Sequence, residues 1–74
     1  MIYVLCCTED GDHYLEAMDE QAFLTRLDQE WWGPSPTIAT ELPRSLDTFS
    51  GLIALRGELA RPMPAETVMR WKLT

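Results

Sequence analysis

Apolar and polar positions at the start of the chain follow the pattern of a β-hairpin. Residues 2–8 (IYVLCCT) and 13–18 (HYLEAM) are rich in apolar, aromatic and β-branched side chains, which is typical of strands. Between them, Asp10-Gly11 is a preferred centre for a two-residue type I′ turn. Such a turn pairs Cys6 with Leu15. The core face of the hairpin, residues 2–18, would then hold Ile2, Val4, Cys6, Leu15 and Ala17.

After residue 18 the apolar spacing changes to that of a helix. Asp19 is a suitable N-cap, and the helix dipole favours the acidic Glu20 in the first turn. Gly33 supplies the left-handed conformation that commonly ends a helix. These signals predict one helix over residues 20–32.

The two adjacent tryptophans in the stretch QEWWGPSPT are expected to differ in environment. One apolar stripe at helical spacing would face the core, and it comprises Phe23, Leu24, Leu27 and Trp31. Trp32 lies about 100° further round the helix. It either folds back under the loop at residues 34–36 or stays exposed, and exposed tryptophan is a common interface anchor.

A proline-containing segment separates this helix from the last apolar runs. Residues 34–50 contain three prolines and no sustained period, which predicts an extended linker. A short helical turn is expected near Ser45–Thr48, and Ile38 could lie in a short edge strand.

The last third of the chain is predicted to form two strands. Residues 51–59 (GLIALRGEL) have a continuous apolar centre, as expected for an inner strand. Residues 67–73 (TVMRWKL) alternate, which places Arg70 and Lys72 on the outer face of a final strand.

The predicted fold is therefore a single α+β domain, residues 1–74, with the element order ββαββ. It consists of hairpin 2–18, helix 20–32, linker 34–50 and C-terminal strands 51–73. Four mainly antiparallel strands would form one sheet with the helix packed on one face. The other face would have no cover, and a bare face or edge favours a partner or a homodimer.

Charge is distributed unevenly between the two halves of the chain. The net charge is −6; residues 1–41 hold nine acids and one base (1 − 9 = −8), and residues 42–74 hold three acids and five bases (5 − 3 = +2). An acidic first half argues against direct nucleic-acid binding, because phosphate contacts need Lys and Arg. It is either an ordinary solvated surface or a face that docks on a basic protein.

The residues that could carry chemistry fit no catalytic or cofactor motif. The phosphate-binding, dinucleotide-binding and metalloprotease patterns are missing, and the D-G-D turn lacks the spaced ligands of a calcium loop. Cys6 is expected in the core, with Cys7 a partly exposed thiol. The predicted register places no nucleophile beside His13. We therefore expect no catalytic residue, no metal site and no cofactor, and hence no enzyme.

A compact acidic chain with one hairpin, one helix and no enzyme motif resembles small phage-encoded accessory and inhibitor proteins, such as anti-CRISPR proteins and inhibitors of host polymerases. This resemblance covers size, charge and layout, so it carries over no individual residue. It implies a non-enzymatic inhibitor or adaptor that docks on a larger assembly in the host cytoplasm.

Two functional hypotheses follow. The first is a protein-binding module that docks through an acidic surface and an aromatic corner, with the contact residues Glu9, Asp10, Asp12, Asp19, Glu20 and Trp32. The alternative is a self-associating structural or accessory subunit that uses an uncovered sheet face or edge. No apolar run approaches the roughly 20 residues that span a bilayer, so a cytoplasmic, non-membrane protein is expected.

Overall fold

In the computed structural model, which describes residues 1–73, a four-stranded antiparallel sheet has helical segments on both faces. The strand order is β3-β1-β2-β4. The elements are β1 (Ile2–Cys7), β2 (His13–Met18), α1 (Glu20–Leu27), β3 (Thr37–Ala39), a 3₁₀ helix (Arg44–Thr48), α2 (Leu52–Leu59) and β4 (Val68–Lys72). The α+β class and the antiparallel four-stranded sheet are confirmed.

The predicted ββαββ order with one helix is wrong because residues 51–59 form a helix instead of a strand. Leu52, Leu55 and Leu59 recur at helical spacing and pack in one cluster beneath the sheet, whereas Ile53 is 87% exposed. Periodicity alone does not separate a short apolar strand from a partly buried helix. The fourth strand is instead the short β3, which contains Ile38 as expected.

The β1–β2 hairpin has a three-residue loop in place of the predicted two-residue turn. The Thr8 N–H donates to the Asp12 carbonyl at 2.8 Å, and the Gly11 N–H donates to the Thr8 carbonyl at 3.0 Å. Gly11 has φ +87°, which is the left-handed conformation typical of the last residue in a three-residue hairpin loop. Leu15 consequently pairs with Leu5 rather than with Cys6.

This one-residue offset moves the side chains of β2 to the opposite face relative to β1. The α1 face of the sheet carries a buried cluster of Val4, Cys6, Met18, Ala22 and Trp32. The other face carries a cluster built on Leu15, Leu46 and Leu55, from β2, the 3₁₀ helix and α2. Both faces of the described sheet are thus covered, and the prediction of a bare face is wrong.

Helix α1 is shorter than predicted. It begins after the Asp19 N-cap as expected but ends at Leu27 instead of residue 32, with Asp28 as the C-cap. The Gln29 and Glu30 N–H groups both donate to the Arg26 carbonyl, at 3.1 and 2.8 Å, which closes the helix with a tight turn. The chain then leaves the helical path before it reaches the tryptophans. The predicted turn at Ser45–Thr48 is confirmed by the 3₁₀ helix.

Two glycines allow a test of how closely the chain is packed. Gly33 has φ +92°, and a Cβ there would lie 2.4 Å from the Cys7 carbonyl oxygen, whereas a Cβ on Gly57 in α2 would meet nothing within 4 Å. We expect Gly33→Ala to lower the free energy of unfolding by about 2 kcal/mol or more, through strain and overlap. Gly57→Ala should raise it by about 0.5–1 kcal/mol, because alanine favours the helix.

Urea unfolding followed by circular dichroism measures both effects. A Gly33→Ala protein as stable as the wild type would contradict the close approach of Gly33 to β1.

Candidate functional site

The acidic residues expected to form one docking face lie at two separate ends of β2. Glu9 and Asp10 are exposed in the hairpin loop. Asp12, next to them, has Oδ2 3.6 Å from the Lys72 Nζ, so its charge is partly balanced. Asp19 follows the far end of the strand, and six residues at about 3.3 Å each separate the two groups by roughly 20 Å.

Asp19 has a structural role at the start of α1. Its carboxylate accepts hydrogen bonds from the Ala22 N–H at 2.7 Å and from the Glu66 N–H at 2.9 Å, and it thereby ties the helix to the loop before β4. These backbone donors, Glu66 first and Ala22 second, hold the pKa of the Asp19 carboxyl below its ordinary value. Its neighbour Glu20 is exposed in the first helical turn.

Trp32 is buried and structural. Its ring stacks on Phe23 with centroids 5.8 Å apart and planes inclined by 5°. Its indole Nε1–H donates to Glu16 Oε1 at 3.2 Å. This tryptophan is therefore buried rather than exposed, with Phe23 and Glu16 as its contacts in place of the expected loop at residues 34–36, and the ring does not offer a contact to a partner.

Glu16 is a buried acid, although it is not among the residues of the predicted core face. It lies opposite Arg70 on β4, whose Nε is 3.7 Å from Glu16 Oε2 and whose guanidinium carbon lies 4.0 Å above the Tyr14 ring. The signal for this arrangement is the opposite charges on β2 and β4, which become informative only when the strand pairing is known.

Trp31 and two leucines of α1 are exposed, although they were predicted to form the core stripe. Leu24 is 58% exposed, Leu27 48% and Trp31 66%. Helix α1 instead buries Ala22 and half-buries Phe23. The buried side of α1 differs from the predicted one because the helix packs on the sheet through the side that carries Ala22. That side lies about 160° from Leu24 on a helical projection.

Acidic residues surround these exposed apolar side chains. Glu20 and Asp28 are four residues before and after Leu24 and therefore neighbour it on the helix surface. Trp31 lines a small cavity of about 120 Å³ together with Glu9 of the hairpin loop and Glu30. Arg26 forms an ion pair with Glu30, in which Nη1 lies 3.5 Å from Oε2. We call the seven residues Leu24, Leu27, Trp31, Glu9, Glu20, Asp28 and Glu30 the α1 surface.

The hairpin register brings Cys7 directly opposite His13, contrary to the expectation that no nucleophile lies beside this histidine. The Cys7 thiol donates to the Thr8 carbonyl at 3.4 Å. Cys6 points to the α1 face, and burial, followed by the charge of Glu16, raises the pKa of its thiol. Within residues 1–73, no group of three or more His, Cys, Asp or Glu side chains is placed to hold a metal ion.

Comparison with known proteins adds no relative: no family model, no curated protein and no solved structure matches this chain. In the described part of the chain, no helix is long and apolar enough to cross a membrane.

The contrast between the adjacent tryptophans predicts a large difference in stability between two similar variants. Trp32→Ala removes a buried ring and should lower the free energy of unfolding by about 3–5 kcal/mol. Trp31→Ala removes an exposed ring and should change it by no more than about 0.5 kcal/mol. Urea unfolding followed by far-ultraviolet circular dichroism avoids the change in fluorescence. Similar losses of unfolding free energy in the two variants would contradict the burial of Trp32 and the exposure of Trp31, and with them the end of α1 at Leu27.

The hydrogen bonds to Asp19 predict a defined pH dependence. Because the pKa of Asp19 is lowered in the folded state, its ionised form contributes stability fully above about pH 4, and this contribution is lost as the pH falls through the lowered value. Asp19→Asn removes the charge. The wild type should therefore be more stable than Asp19→Asn near neutral pH, and the difference should shrink below pH 4.

Urea midpoints measured over a pH series give this difference, with Asp10→Asn in the exposed hairpin loop as the control. A stability gap between wild type and Asp19→Asn that is constant down to strongly acid pH would refute the assignment.

Proposed function

We propose that this protein is a non-enzymatic protein-binding module, acting as an inhibitor or adaptor, that docks on a larger partner through the α1 surface. The observation that carries the proposal is the exposure of Leu24, Leu27 and Trp31 on one short segment. Exposed apolar groups bordered by polar residues are typical of protein interaction sites, and tryptophan is enriched among the residues that dominate binding energy.

The small amount of surface that a short chain can bury supports a binding role for these side chains. A chain of this size buries only about 60% of the surface of its unfolded state, so each buried apolar side chain matters for stability. Trp31 and the two leucines nevertheless leave 48–66% of their surface exposed. Their apolar area is therefore available to a partner, where its removal from water is worth about 25 cal/mol per Å².

The charges of the α1 surface indicate the chemistry of the partner. Four carboxylates, Glu9, Glu20, Asp28 and Glu30, surround the apolar side chains, and Arg26 is the basic residue paired among them. A partner with an apolar depression bordered by Lys or Arg is complementary to this pattern. We propose such a basic protein surface as the target, which is the kind of partner implied by the resemblance to small acidic inhibitors.

Self-association is the less favoured alternative. Both sheet faces are covered in the described structure, and pairing two α1 surfaces would bring eight carboxylates together on chains that each carry a charge of −6. Like charges at an interface are unfavourable. The outermost strands are also poor pairing edges, since β3 has three residues and β4 carries Arg70 and Lys72.

A binding experiment with matched surface variants tests the proposal. Immobilised wild-type protein, the double variant Leu24→Ser/Trp31→Ser and the control Ile53→Ser are compared by quantitative capture from a lysate of the native host. Ile53 is an 87% exposed apolar residue on α2, so it controls for the general loss of surface hydrophobicity. We expect one or more proteins to be retained by the wild type and the control, with at least about tenfold loss in the double variant.

High salt and charge-reversal variants then separate the contribution of the carboxylates to binding from that of the apolar side chains. Retention should weaken at high salt and in Glu9→Lys/Glu30→Lys, because exposed charges are screened. Equal retention by wild type and double variant would overturn the proposal. A Trp31-dependent dimer in sedimentation equilibrium, without any captured protein, would instead favour self-association.

A further inference from the structure

A cleft of about 710 Å³ lies at the end of the sheet, on the face opposite α1. Its floor is formed by the end of β1 and the start of β2, where Leu5, Cys7 and His13 lie, together with Leu73. The 3₁₀ helix and the residues that follow it form the other wall. The volume lies within the range of roughly 300–1,000 Å³ that is usual for small-molecule sites.

Hydroxyl groups dominate the polar lining of this cleft. All three serines of the chain contribute to it, and the complete hydroxyl set is Ser35, Thr37, Ser45, Thr48 and Ser50. None of these five hydroxyls hydrogen bonds another group within residues 1–73. Each can both donate and accept, so their hydrogen-bonding capacity is available to a ligand.

Fixed charge is missing from the same lining. Asp, Glu, Lys and Arg together make up 18 of the 74 residues (12 + 6), yet none of the twelve residues that line the cleft is one of them. Among the lining residues that the structure describes, an anionic ligand would meet no Lys or Arg in a protein of net charge −6, and a cationic ligand would meet no Asp or Glu. The lining therefore favours an uncharged ligand.

An aromatic ring provides an apolar side to the cleft. Phe49 follows the 3₁₀ helix directly, and a Cβ added to Gly51 would lie 2.7 Å from Cζ of the Phe49 ring. This close packing holds the ring against the backbone. Leu5, Leu46 and Leu73 extend the apolar surface beside it.

We infer that the cleft binds a small, uncharged, hydroxyl-rich ligand of the carbohydrate class. The hydroxyl groups of a sugar donate and accept in the same way as the five serine and threonine hydroxyls that would meet them. The C–H face of a sugar ring provides the apolar surface that packs on Phe49. This site lies on the opposite face of the sheet from α1, and neither Phe49 nor the five hydroxyl residues belong to the α1 surface.

Nuclear magnetic resonance titration of the ¹⁵N-labelled protein tests the inference. The probes are glucose, N-acetylglucosamine and maltose, with inorganic phosphate and a small diamine as charged comparison ligands. We expect at least one sugar to cause saturable shifts of the amides of residues 45–50 and of Thr37, and the charged probes to cause none there. Phe49→Ala should weaken that binding about tenfold, and Ser50→Ala, at an exposed position, provides a second variant with less risk to folding.

Alkylation of the two cysteines gives an independent readout within the same molecule. Both cysteines line the cleft, but Cys7 is the more exposed, so Cys7 should react more slowly with iodoacetamide when the sugar is bound, whereas buried Cys6 should react slowly with or without the sugar. The variant Leu24→Ser/Trp31→Ser should bind the sugar normally. The inference is overturned if no sugar shifts these amides, if phosphate shifts them equally, or if Phe49→Ala binds as tightly as the wild type.

Discussion

The three-residue loop of the β1–β2 hairpin is the constraint on which the rest of the structure depends. Gly11 in the left-handed conformation ends a loop that holds one residue more, Glu9, than a two-residue Asp10-Gly11 turn would. Because side chains alternate along a strand, this single residue decides which face each β2 side chain occupies. Leu15 is thereby assigned to the face covered by α2, and Glu16 to the face covered by α1. Each helical segment of the protein packs on a surface that this register creates.

Glu16 shows how the register creates a polar contact within the α1 cluster. A carboxylate with 4% exposure is costly to bury without partners. Trp32 donates its indole N–H to one oxygen, and Arg70 on the neighbouring strand approaches the other. Arg70 is itself half exposed, so the ion pair is partly solvated and its net contribution is small. The specific consequence is the position of Trp32, which the hydrogen bond and the stacking on Phe23 hold against the sheet.

The burial of Trp32 accounts for the exposure of its neighbour. After the tight turn that ends α1, the chain turns inward at Trp32, and Gly33 allows its backbone to approach β1 closely. Trp31 is then left on the outside, beside the hairpin loop, because α1 runs back along β2 toward it. The α1 surface and the hydroxyl-lined cleft lie on opposite faces of the sheet. The proposed partner and the proposed ligand would therefore occupy different faces of the sheet.

Local signals in the sequence were sufficient for the hairpin, the Asp19 N-cap, the 3₁₀ turn and the short strand at Ile38, because each rests on residues close together in the chain. The candidate site could be predicted only in part: the acidic hairpin loop is where the sequence places it, but the exposed tryptophan is Trp31. Which side of α1 is buried depends on the contact with the sheet, and α2 is a helix because its leucines have a sheet face to cover. Those outcomes depend on strand register and long-range packing, which cannot be inferred from the periodicity of a short segment.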